Sequence, residues 1–180
     1  MTKTNSHIGN TFPKIRPPKN LANYQWVRQR TVPIDDFKWI RIADLKLLDL
    51  PKPVVLVTGA FDLLTASHMR LLFEARARAG SNGTVLVAMN SDDSVSERKG
   101  NGRPVLTFVE RVATLAYMPI DILVEFNNES ELRKIVNIAK PFCQVAGQEY
   151  MDKQTTANIP LFCIHEGGPH TSEIIDRIKK

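Results

Sequence analysis

The chain reads as an α/β protein: a five-stranded parallel sheet with helices on both faces, preceded by an N-terminal extension. Three observations predict this. Short continuous apolar runs, each ended by glycine or polar residues, have the form of strands buried on both faces. Helical segments separate them, as the crossover connections of parallel strands require. The composition is that of a globular domain, with 43% hydrophobic and 24% charged residues, and 180 residues suffice for one full core.

The elements follow in order. From Trp39 to Leu50 the spacing of Ile42, Leu45 and Leu48 predicts a short helix that ends before Pro51. Val54-Val55-Leu56-Val57, closed by Gly59, is the first strand, and residues 66–79 are a helix stopped at Gly80. Thr84–Met89 is the second strand, followed by a polar loop through Gly102. Thr107–Met118 is helical, Asp121–Phe126 is a strand, and Glu129–Ala139 is a helix ended by Pro141. Phe142–Ala146 and Leu161–Ile164 complete the five strands, and residues 171–180 form the last helix. Ligands of such sheets bind beyond the carboxyl ends of the strands. The loops after Val57, Met89, Ala146 and Ile164 are therefore expected on one rim.

Charge divides the chain. Residues 1–52 hold ten Lys/Arg against four Asp/Glu, whereas residues 53–180 hold fourteen against fifteen, so the overall +5 belongs to the N-terminal part. Residues 1–37, with Pro13, Pro17, Pro18 and Pro33 and no sustained periodicity, read as an extended arm, and 38–180 as the folded domain. Tyr24, Trp26 and Val27 suggest that part of the arm docks, on its own subunit or on a neighbour in a homodimer. Contact with nucleic acid is expected only through this arm. No apolar run approaches the roughly 18–20 residues of a membrane span, and the polar N-terminus lacks a secretory core, so a cytoplasmic protein is expected. Cys143 and Cys163 sit in apolar stretches and read as buried free thiols, with no spacing for a metal.

The loop after the first strand runs Thr58-Gly59-Ala60-Phe61-Asp62-Leu63-Leu64-Thr65-Ala66-Ser67-His68. Glycine directly after a buried strand allows close backbone approach to a ligand. The N-terminus of the following helix presents unpaired N–H groups and a positive dipole end, which suit phosphate. His68 falls in its first turn. The same residues also read simply as a helix cap at Thr65 and a packing histidine.

Five motifs in order resemble the cytidylyltransferase-type nucleotidyltransferases. Gly-x-Phe-Asp-Leu-Leu is followed by a four-residue signature ending in His68, where the family has His-x-Gly-His. Asn90-Ser91-Asp92 follows the second strand. Arg98-Lys99-Gly100 precedes Arg103-Pro104, and Glu110-Arg111 opens a helix. Val145-Ala146-Gly147-Gln148-Glu149-Tyr150 is similar to the family's Val-Lys-Gly-Gly-Asp-Tyr, and Thr171-Ser172-Glu173-Ile174-Ile175 to its Ser-Thr-Thr-x-Ile-Ile. The likeness is greatest to the adenylyltransferase half of bifunctional ADP-heptose synthase, with glycerol-phosphate cytidylyltransferase a cousin. It runs from about Lys38 to the C-terminus and implies a Rossmann-like fold.

The resemblance implies transfer of a nucleoside monophosphate from ATP or CTP to a sugar or polyol phosphate. The acceptor attacks the α-phosphorus in line and pyrophosphate leaves, with Mg²⁺ carried on the triphosphate and no metal held by the protein itself. By the same carry-over, His68, Thr65 and Lys99 are the candidate catalytic residues. The candidate nucleotide-binding residues are Gly59, Ala60, Phe61, Thr65, His68, Asn90, Asp92, Lys99, Arg103, Gly147, Glu149, His170, Thr171 and Ser172. For Arg111 an ion pair with a neighbour is the plain reading. The signature is degenerate: Thr65 stands for the first histidine, Ser67 for glycine, Ala146 for lysine, Gln148 for glycine and His170 for serine. Those departures carry an alternative, a catalytically weak or inactive nucleotide-binding relative that serves as a sensor or structural subunit.

Overall fold

The computed structural model describes residues 38–151, 159–164, 168–169 and 171–179. The arm over 1–37 and His170 lie outside the described residues. In chain order the elements are β1 (Lys38–Ile40), α1 (Ile42–Leu45), β2 (Val54–Gly59), α2 (Ala66–Ala79), β3 (Thr84–Asn90), α3 (Asp92–Lys99), α4 (Phe108–Leu115), β4 (Ile122–Phe126), α5 (Glu129–Ala139), β5 (Cys143–Gly147), a 3₁₀ turn at Gln148–Tyr150, β6 (Leu161–Ile164) and α6 (Thr171–Ile178).

All strand pairings are parallel, in the order β1-β4-β3-β2-β5-β6. The five expected strands are present, and the sheet gains a sixth. β1 joins the edge with Trp39 opposite Leu123 and Ile40 opposite Val124, so the expected helix over Trp39–Leu50 shrinks to α1. The expected polar loop after Met89 contains α3. Ser91 caps it, its hydroxyl accepting from Ser94 N at 3.2 Å. Asp92 and Asp93 occupy the first turn, Arg98 and Lys99 the last, and Gly100 ends it at φ +84°.

Successive strand residues point to opposite faces, which splits the core in two. On one face Val55, Val57, Val85, Val87, Met89, Leu123 and Val145 pack under α2 and α4. On the other, Val54, Leu56, Leu86, Ala88 and Val124 pack under α1 and α5. α5 buries Leu132, Ile135, Val136 and Ala139, one stripe of its surface, against that face. Each of the larger side chains contributes about 1.5–3 kcal/mol by leaving water. Cys143 is buried as expected, whereas Cys163 on edge strand β6 is only half-buried.

The chain winds outward from β2 through β3 to β4, then returns to lay β5 on the opposite side of β2. β2 and β5 therefore flank the point where the winding reverses, and the crevice at their carboxyl ends is where open α/β sheets place ligands.

Candidate functional site

At that crevice the β2–α2 loop makes a tight, strained bend. Phe61 (φ +51°) and Leu63 (φ +61°) both adopt left-handed backbone, at a cost of about 1–3 kcal/mol each that the surroundings must offset. The Phe61 ring folds back over Gly59, where a Cβ would lie 3.1 Å from it. A side chain at 59 would therefore make the Phe61 ring give way by a few tenths of an ångström.

Two buried charges hold the bend. Asp62 accepts from Arg103 Nε at 2.7 Å, from Val105 N at 2.9 Å and from Leu106 N at 3.0 Å. Burial alone would raise its pKa; the amides of Leu106 and Val105 and the Arg103 guanidinium outweigh it and hold the carboxyl below the usual carboxylate range. Arg111, fully buried, donates to the carbonyls of Ala60 (2.5 Å) and Asn90 (3.0 Å) and pairs with Asp92 at 2.5 Å. It thus carries the ion pair expected of it and ties the loops after β2 and β3 together.

α2 starts at Thr65 in a capping-box arrangement, with the His68 ring where a glutamate commonly sits. Thr65 N donates to His68 Nδ1 at 3.1 Å, and Thr65 Oγ1 lies 2.9 Å from the same nitrogen. Phe61 packs on the imidazole, ring centroids 5.6 Å apart. Across the crevice α6 begins at Thr171, whose hydroxyl reaches the Leu63 carbonyl at 3.4 Å.

Between these elements lies a cavity of about 280 Å³. Of the sequence-predicted residues, Gly59, Ala60, Phe61, Thr65, His68, Lys99, Gly147, Thr171 and Ser172 line it. Asn90, Asp92 and Arg103 do not. Asn90 is buried, its amide bonded to Ser94 Oγ; Asp92 is taken by Arg111 and Phe108 N, and Arg103 by Asp62. These three brace the neighbouring loops, Asp92 with its side chain still partly exposed. Glu149 belongs to the 3₁₀ turn after β5.

Thr58, Asp62, Ser67, Leu71, Ala146 and Tyr150 complete the lining. Thr58, Asp62, Leu71 and Tyr150 escape sequence reasoning as wall residues, because what places them is the parallel β2–β5 pairing and contacts some forty residues distant along the chain. Ser67 is buried, and the backbone before α6 makes room for it. A Cβ on Gly168, at φ +144°, would stand 3.0 Å from Ser67 Oγ. Ala146, where the resemblance expects lysine, puts only a methyl group into the wall.

His68 and Lys99 are the basic side chains lining the cavity among the described residues. Partial burial, then the positive charge of Arg103, lowers the Lys99 pKa below the usual lysine value. An anion in the cavity would reverse that shift. Asp62 is the one carboxylate among the described lining residues, and its oxygens are already committed to Arg103 and two amides.

A crevice at the winding reversal, flanked by two helix N-termini, belongs to the ligand-binding α/β domains. The chain belongs to a particular family of them: the model described as Cytidylyltransferase-like matches residues 56–164. Over 141 residues it is 33% identical to the Bifunctional protein HldE of Helicobacter pylori (strain P12), a match covering 76% of this chain and 30% of that protein. It is 37% identical over 135 residues to the Bifunctional protein HldE of Psychromonas ingrahamii, covering 70% and 28%. The chain thus spans less than a third of the length of these relatives. A crystal structure described as a macrolide-efflux protein from Streptococcus pneumoniae shares the fold, with a TM-score of 0.60 at 16% identity, covering 79% of this chain and 57% of that one. Family and relatives together support a nucleotidyltransferase. No helix among the described residues is long and apolar enough to cross a membrane.

Proposed function

We propose that the chain transfers a nucleoside monophosphate from ATP or CTP to a sugar or polyol phosphate, with release of pyrophosphate. The observation that carries this reading is the convergence of the α2 and α6 N-termini, His68 and Lys99 on one small cavity at the β2–β5 reversal. Backbone N–H groups at the two helix ends suit the phosphate oxygens, as does the hydroxyl of Ser172. Lys99 adds formal charge, and His68 a further donor. About 280 Å³ suits a polyphosphate chain more than a whole nucleotide with its acceptor, so base and acceptor extend along the rim.

In this reading the residues act by positioning and charge stabilisation and form no covalent intermediate. The acceptor phosphate approaches the α-phosphorus opposite the leaving pyrophosphate, whose negative charge grows as the bond breaks. The helix ends and Lys99 are placed to stabilise that charge. Magnesium fits here as a companion of the nucleotide. Triphosphate oxygens and water can supply its ligands, since Asp62 is committed elsewhere, and it would neutralise phosphate charge.

Calorimetric titration with ATP and CTP tests the site. Wild type should bind a triphosphate with magnesium, and His68→Ala should bind it about tenfold or more weakly. Equal affinity would remove His68 from the site.

A further inference from the structure

The inference rests on the phosphate-binding reading of this cavity and concerns the state in which His68 serves it. We propose that Thr65 is a positioning residue that holds His68 as the neutral imidazole with its proton on Nε2. A backbone N–H can only donate, so the 3.1 Å contact from Thr65 N makes Nδ1 the acceptor. The Thr65 hydroxyl, 2.9 Å from the same nitrogen, is then a second donor to it. A proton on Nδ1 would face the amide N–H head-on, which disfavours both the other tautomer and the imidazolium. The ring nitrogen that accepts fixes which one carries hydrogen, here Nε2.

The surroundings support a fixed ring. Thr65 is only 8% exposed, so water competes weakly for its hydroxyl. Phe61 covers the imidazole at 5.6 Å and is itself seated over Gly59. The departure at position 65 thus acquires a role. Threonine turns its hydroxyl back onto its own helix and orients the histidine one turn later. His68 then meets phosphate as a neutral donor, and formal charge is left to Lys99.

Long-range proton–nitrogen NMR on the full chain, labelled at histidine and free of nucleotide, reads the tautomer near neutral pH. The expected spectrum has His68 Nδ1 unprotonated and Nε2 carrying hydrogen. Thr65→Val keeps the backbone donor and loses only the hydroxyl, so Nε2–H should stay the main tautomer with a larger Nδ1–H share, while triphosphate binding weakens several-fold; Thr65→Ser should restore both. Among ring replacements, His68→Gln, whose amide nitrogen reaches the Nε2 position, should keep affinity for ATP or CTP within a few-fold. His68→Asn, which reaches only the Nδ1 position, should lose about tenfold or more. A wild-type spectrum showing Nδ1–H or the imidazolium would overturn the proposal even if Thr65→Val failed to fold. Because the spectrum is taken without nucleotide, it stands apart from the transferase reading. The expected tautomer in a protein that binds no triphosphate would uphold the role of Thr65 and sink the functional assignment.

Discussion

Asp62→Ala should release the rim of the site and destabilise the whole domain. The Asp62 side chain is fully buried, and its partner Arg103 is only 10% exposed. Removing the carboxylate strands a buried guanidinium whose Nη2 has no partner among the described residues, and it leaves the amides of Val105 and Leu106 without their acceptor. Breaking one side of such a pair costs about 3–5 kcal/mol. At roughly 2–4 °C per kcal/mol for a domain of this size, the melting temperature should fall by about 6–20 °C. Urea unfolding of Asp62→Ala, Arg103→Met and the double variant measures the effect. The cycle should return a coupling of about 1–3 kcal/mol. The sign with pH is also fixed. A carboxyl held below its unfolded pKa stabilises the fold at neutral pH, and that contribution fades as pH falls through the folded value. Asp62→Ala should therefore lose part of the acid dependence of wild type. A variant within 0.5 kcal/mol of wild type, or no coupling with Arg103, would refute the argument.

Three further outcomes are expected. Because Lys99 is held below its usual pKa and an anion restores it, triphosphate binding should take up protons at alkaline pH and weaken as pH rises; titration in buffers of different ionisation enthalpy reads the uptake. Glu125 is pushed above its usual pKa by burial and by Asp92, so Glu125→Gln should raise the melting temperature by up to a few degrees at neutral pH. That gain should vanish as pH falls and the wild-type carboxyl protonates. A Cβ at Gly83 would lie inside contact distance of the Ala79 and Pro53 carbonyls, so Gly83→Ala should cost about 2 kcal/mol or more in denaturant unfolding.

Where the residues buried themselves, the sequence showed the fold plainly. The apolar runs at Val54–Val57, Thr84–Met89 and Leu161–Ile164 have the form of buried strands and are strands, and α5 spans the expected Glu129–Ala139. α3 has no apolar signature for a physical reason. It buries little beyond Ser94 and Val95 and so shows no apolar stripe, although its cap, its charge gradient and Gly100 were all legible. β1 is three residues long, and its partner β4 lies some eighty positions on, so no local pattern marks it.

The site divides in the same way. Gly59, Thr65 and His68 follow one another on one loop and helix, and local chemistry finds them. Arg103 and Asp92 carry charges that sequence assigned to a ligand, yet Asp62 and Arg111 claim them from distant segments. Asp62 itself sits within a recognised motif, but its role as the clasp between two loops appears only when the chain is folded. Ser67 and Gly168 are a further such pair, separated along the chain and complementary in space.

Phosphorus NMR of the protein with magnesium, ATP or CTP and a panel of sugar and polyol phosphates tests the central claim most directly. The account predicts that the α-phosphorus signal of one triphosphate moves into a diphosphate linkage to the acceptor, while pyrophosphate appears in equal amount. Triphosphate that binds the cavity yet stays intact with every acceptor, or that loses only its terminal phosphate, would contradict it.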